Sequence, residues 1–168
     1  MRLFFAAWPP RAAAAALHEW AEAVQRETGG RVTRTETIHL TLAFLGDVDD
    51  GVLPLLKELH LEGRRHRLQI NDARYWKHNQ IVWVGPEAVP AELREVVFSL
   101  ASFLKKKSFR TEEREFAAHI TLIRKAREPK TLPDLPNISW PVEEVVLVRS
   151  HLSGKGSSYE VLQRYPLS

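Results

Sequence analysis

Hydrophobic and polar positions alternate in short blocks along this chain, and the blocks predict strands interleaved with a few helices. Arg2 to Trp8 is an apolar run stopped by Pro9 and Pro10, which predicts a strand leading into a helix. Ala12 to Arg26 carries helix formers and stops at Gly29-Gly30. Ile38 to Leu45, "IHLTLAFL", is apolar and β-branched with Gly46-Asp47 after it, which predicts a buried strand and then a turn. Asp49 or Asp50 is placed to cap a helix running to about Leu61, with Leu53, Leu56 and Leu59 or Leu61 at helical spacing and Pro54 in the first turn.

Arg67 to Trp76 and Gln80 to Val84 predict two strands joined through "KHNQ". A helix is predicted from Pro90 to about Lys107, where consecutive lysines suit the negative end of the helix dipole. Phe116 to Ile123 predicts another strand, and the proline-rich "REPKTLPDLPNISWP" an ordered loop. Glu144 to Leu152 and Ser158 to Tyr165 predict a hairpin around "SGKGS", with Lys155 a solvated charge in its turn. The sum is an α+β arrangement with largely antiparallel pairing.

Composition narrows the chemistry. With 168 residues, 44% hydrophobic and 27% charged, the chain can bury the core of one domain. It has no cysteine, which excludes disulfide scaffolds, thiol catalysis and cysteine-ligated zinc. No stretch approaches the roughly 20 apolar residues that span a bilayer, and Pro9, Pro10 and Arg11 interrupt the N-terminal apolar run, so a cytoplasmic protein with no membrane contact is expected. A formal charge of +3 is a mild bias towards anionic partners, short of the footprint of a stable DNA binder.

Two stretches are spelled almost alike: "IHLTLAFL" from Ile38 and "HITLIR" from His119 to Arg124. Chance placement of seven histidines and eight threonines in this chain yields about a third of one His-x-Thr, before apolar neighbours are required. On a strand, residues two apart share a face, so His39 lies with Thr41 and His119 with Thr121, while Leu40 and Ile120 turn to the core. Two buried imidazoles on apolar strands are costly unless something uses them. Facing each other across a cleft, they suit attack of water on a phosphodiester. One takes a proton from water and the other gives one to the leaving oxygen, each with an ordinary pKa of about 6.5. The threonine hydroxyls can donate to the non-bridging phosphate oxygens, and the scheme requires no metal. A third near-match, "HLS" at His151, runs into the glycine turn and reads as a strand end whose imidazole can lend charge at a site rim.

In the two His-x-Thr motifs and their separation the chain resembles the 2H phosphoesterase superfamily, and within it the RNA 2′,3′-cyclic phosphodiesterases historically called 2′-5′ RNA ligases. The likeness also runs through "RLFFAAWPP", "VWVG" and "SHLSGKGSSYEVLQRYPL". It implies one domain over residues 1–168 made of two pseudo-symmetric lobes, each a small antiparallel sheet with helices, flanking an active-site cleft. It implies hydrolysis of a 2′,3′-cyclic phosphate on an RNA or nucleotide end to a 2′-phosphomonoester, with reversible 2′-5′ joining of RNA. By the same resemblance His39 is the proton donor and His119 the proton acceptor, while Thr41, Thr121 and Arg124 hold the phosphate. Phe44 and Tyr159 would wall the site and stack on a base, core packing being the competing use of Phe44. His151 stands where the family commonly has Arg, and Ala118 where it usually has Pro. A monomer without cofactor or metal is expected. The competing readings are a 2H enzyme for another cyclic or 2′-5′ nucleotide, and a non-catalytic RNA-binding module.

Overall fold

The structure, a computed structural model, describes residues 1–112, 115–154 and 156–168. Lys155, in the expected hairpin turn, lies outside the described residues. The chain runs β1 (Arg2–Ala7), α1 (Arg11–Thr28), β2 (Arg31–Val32), β3 (Leu40–Asp47), α2 (Leu53–Lys57), β4 (His66–Ile70), β5 (Asp72–Trp76), β6 (Ile81–Gly85), α3 (Ala91–Lys106), β7 (Ile120–Arg124), β8 (Ile138–Val142), β9 (Glu144–Ser153) and β10 (Gly156–Pro166). Strands pair antiparallel into a first sheet β10-β9-β1-β3, a second sheet β2-β7-β6-β5 and a ribbon β4-β8. The α+β class expected from the pattern is the class observed.

The sheets exchange their helices. Helix α1 follows β1 of the first sheet but packs on β2 and β7 of the second, and α3 follows β6 of the second but packs on β3 of the first. Ala14, Leu17, Trp20, Ala21 and Val24 form the buried face of α1, at the three- and four-residue spacing of a helical stripe. One apolar cluster therefore draws on both sheets, with Leu3 and Leu40 from the first and Val84 and Leu122 from the second. The other face of β1 carries a smaller cluster, Phe4 and Ala6 with Val146 and Val148, against which Trp8 and Tyr159 pack. This second cluster floors the site.

Close backbone approach holds β7 at both ends. Gly30, at φ 87°, leaves no room for a Cβ against the Arg124 carbonyl, and a Cβ on Gly85 would press on the Ala118 carbonyl.

Five elements depart from the sequence pattern. Asn71 divides the expected strand 67–76, because β4 pairs with β8 whereas β5 pairs with β6; its side chain accepts the Glu87 amide at 2.7 Å. The expected helix to Leu61 stops at Lys57, since the Tyr165 hydroxyl donates to the Leu56 carbonyl at 2.8 Å and Leu59 N–H closes a tight turn on the same oxygen. Asp49 makes no side-chain cap there. The end of the proline-rich segment is strand β8, where Ile138, Trp140 and Val142 are buried in alternation and Pro141 is tolerated because β8 pairs on one side only. Gly46 and Asp47 belong to β3 rather than to a turn, and β7 begins at Ile120 rather than Phe116. No helix among the described residues is long and apolar enough to cross a membrane.

Candidate active site

The two histidines are mounted in the same way. Each stands one residue ahead of its strand, His39 before β3 and His119 before β7. Each points Nδ1 at the carbonyl two residues back: His39 at Thr37 O, 2.7 Å, and His119 at Ala117 O, 3.0 Å. A carbonyl only accepts, so Nδ1 carries the hydrogen and the neutral ring keeps Nε2 bare. At His39 that Nε2 accepts from the Thr41 hydroxyl at 3.0 Å.

Strand register repeats the likeness. Leu42 is an extra residue in β3, between the pairs Phe5–Ala43 and Ala6–Thr41; Leu122 is an extra residue in β7, between Val82–Ile123 and Trp83–Thr121. Each bulge buries its leucine and breaks strict alternation, so the residue three beyond the threonine joins it on the cleft face. Those residues are Phe44 and Arg124.

Between the sheets lies a cleft of about 650 Å³, with His39 and Thr41 on one wall and His119 and Thr121 on the other. Arg2, Arg31, Arg34 and Arg124 also line it, and among the described residues no carboxylate does. Arg34 is already engaged, 3.6 Å from Glu36 and donating to the Ser157 carbonyl. Arg31 stands directly opposite Arg124 in the β2–β7 ladder, a like-charge pair that is unfavourable until an anion joins it. The charge of the lining therefore suits an anion.

The surroundings of His39 set its charge. Trp8 stacks on the ring at 4.8 Å and 16°, with Phe4 at 5.1 Å and Tyr159 edge-on at 5.4 Å. Trp8 is itself tied by its indole N–H to Glu36 O at 3.1 Å, next to the carbonyl that holds His39. Burial pushes the His39 imidazole down from 6.5 to about 4; the Thr37 hydrogen bond opposes this, and the positive charges of Arg124 and His119 add to it. The free site thus holds His39 neutral at neutral pH. Because the folded pKa lies below the unfolded one, this contribution to stability is complete above pH 6.5 and is lost as pH falls through about 4. Thermal unfolding midpoints of the wild type should drop across that window more steeply than those of His39→Gln. Equal slopes would contradict the assignment.

The expected site residues are distributed as follows. Thr41, Thr121 and Arg124 line the cleft with the two histidines. Tyr159 lines it too, against His39. Phe44 is 43% exposed, so it is a cleft residue and not core. His151 is the correction: its neighbours Ser150 and Leu152 line the cleft, which turns His151 away, and its Nε2 lies 3.0 Å from Glu160. Sequence reasoning missed Arg2, Arg31 and Trp8, although the alternation Arg2, Phe4, Ala6, Trp8 on one face of β1 was a usable signal. It also missed Trp76 and Trp83, whose rings lie 4.7 and 6.1 Å from His119.

Comparison with known proteins places the chain in a family. Residues 8–83 match the family model described as LigT like Phosphoesterase. A protein of Escherichia coli named RNA 2′,3′-cyclic phosphodiesterase is 32% identical over 99% of this chain and 97% of its own. A Thermus thermophilus protein of the same name is 33% identical over 99% and 90%. The crystal structure of E. coli LigT complexed with 3′-AMP superposes with a TM-score of 0.90 at 31% identity, covering 99% of this chain and 98% of that one. Likeness of this extent, in a chain that also carries both His-x-Thr strands, establishes that it belongs to the LigT-like phosphoesterases of the 2H superfamily, hydrolases of phosphodiester bonds.

Proposed function

We propose that the protein opens 2′,3′-cyclic phosphate ends of RNA to 2′-phosphomonoesters, with His119 as base and His39 as acid. The observation that carries this reading is the matched mounting of two imidazoles, each with Nδ1 tied back to a backbone carbonyl, on opposite walls of one cleft that no carboxylate lines among the described residues. Two relatives that span nearly the whole chain bear the name of that activity.

His119 Nε2 takes a proton from water as the water oxygen bonds to phosphorus. The bond from phosphorus to the 3′ oxygen breaks, and His39 Nε2–H gives its proton to that oxygen. The products are a 2′-phosphomonoester and a free 3′ hydroxyl, with the proton returned to His39 through solvent. Thr41, Thr121 and Arg124 bind the non-bridging oxygens, where charge accumulates. Tyr159 walls the site beside His39.

An acid must hold a proton when it acts, and the free site disfavours one on His39. The substrate phosphate resolves the conflict: a negative charge beside the buried ring opposes the effect of burial and offsets Arg124 and the second imidazole, so the proton enters with the substrate. In the reverse direction an RNA 5′ hydroxyl replaces water and leaves a 2′-5′ linkage. Hydrolysis dominates, because water at about 55 M outcompetes dilute RNA ends unless these are held in proximity.

Phosphorus NMR of the product formed from an RNA fragment ending in a 2′,3′-cyclic phosphate tests the reading. A single 2′-monoester resonance is expected. A 3′-monoester, or an unchanged cyclic resonance, would contradict it.

A further inference from the structure

The two imidazoles share one anchor and differ in the second. Each is tied by Nδ1–H to the carbonyl two residues back. One such hydrogen bond fixes a single ring atom and tolerates a range of ring orientations about it. At His39 the plane of the ring is constrained as well: the indole of Trp8 lies flat on it, 4.8 Å between centroids and 16° between planes. Against His119 the indoles of Trp76 and Trp83 are inclined at 57° and 78°.

The backbone presents Trp8 for this contact. Ala7 pairs with Leu40, so Trp8 comes opposite His39 just past the end of the β1–β3 ladder. Pro9 follows and keeps Trp8 in the extended region that the ladder already imposes. The indole N–H donates to Glu36 O at 3.1 Å, while the imidazole Nδ1–H donates to Thr37 O at 2.7 Å. Consecutive carbonyls of the tight turn Thr35–Thr37 thus hold the two stacked rings, and turning the pair breaks a hydrogen bond. Tyr159 braces the indole edge-on at 5.9 Å. Trp8 itself does not line the cleft, so it stands behind His39 and acts through it.

A fixed plane matters more to an acid than to a base. Water can approach a base from several directions, whereas an acid must deliver its proton to one leaving oxygen that the bound phosphate holds in place. We propose that Trp8 is a positioning residue for the reaction: tied to Glu36, its indole sets the plane of the His39 ring and so aims Nε2 at the leaving oxygen. The inference rests on the proposed reaction and adds to it the residue that makes the acid directional.

The test reads kcat and KM for adenosine 2′,3′-cyclic phosphate in the wild type, Trp8→Leu and Trp8→Phe, together with long-range ¹H–¹⁵N NMR spectra of the histidine rings at neutral pH. Trp8→Leu keeps an apolar side chain on the half-buried position but no flat face. Its kcat should fall about tenfold or more with KM within about twofold, because no group that touches substrate is removed. Trp8→Phe keeps the face and loses the N–H, and should recover most of kcat. In the spectra the single Nδ1–H tautomer of His39 should give way to a mixture in Trp8→Leu, while unchanged His119 signals report an intact fold. Wild-type kcat in Trp8→Leu, a loss carried by KM alone, equal losses in the two variants or an unaltered His39 tautomer would each overturn the proposal. A wild type that leaves the cyclic phosphate intact would instead remove the proposed reaction, and the role of Trp8 with it.

Discussion

His119→Ala is expected to lower turnover of a 2′,3′-cyclic phosphate about 10² to 10⁴-fold, the usual contribution of a positioned acid or base. Little folding free energy should go with it. His119 is partly exposed in the cleft, its removal frees the Ala117 carbonyl, which water can satisfy, and the contacts it gives up with Trp76 and Trp83 are tilted or edge-on rather than stacked. His39→Ala should cost a similar factor in rate and, in addition, about 1–2 kcal/mol of stability, because its ring packs against Phe4, Trp8 and Tyr159. Unchanged turnover in either variant would remove that histidine from the mechanism.

Arg124→Gln is expected to lower turnover about 10² to 10³-fold, since it deletes a charged donor aimed at developing negative charge. The same substitution has a second signature. Arg124 is one of the charges holding the His39 imidazole down. Removing it must raise that pKa, so the limb of kcat/KM that reports His39 should move to higher pH. A His39 limb that stayed in place while the rate fell would mean that Arg124 binds substrate without sensing His39.

The residues with the plainest local signals were legible. Period-two alternation around His39 and His119 led to a His and a Thr on one face of each strand, and the structure brings both pairs to one cleft. Helices α1 and α3 followed from apolar stripes bounded by Pro and by Gly or Lys. What escaped was set by tertiary contacts. The bulges at Leu42 and Leu122 depend on partner strands, and without them strict alternation puts Phe44 on the core side. Strand β8 hides in a segment with four prolines and becomes visible only because β4 offers it a partner. The outward turn of His151 escapes because the side a strand presents depends on register, and a single residue of register reverses it. Trp8 looked like the end of a strand; its use emerges only when the segment carrying Glu36 and Thr37 folds over it and places the His39 ring on its face.

Opposed acid and base on one phosphate is the central claim, and pH profiles of kcat/KM for the two single-histidine variants test it most directly. The wild type should give a bell. His39→Ala, retaining only the base, should keep only the limb that rises with pH. His119→Ala, retaining only the acid, should keep only the limb that falls. The reverse pattern would exchange the two roles, and a full bell in either variant would contradict the account.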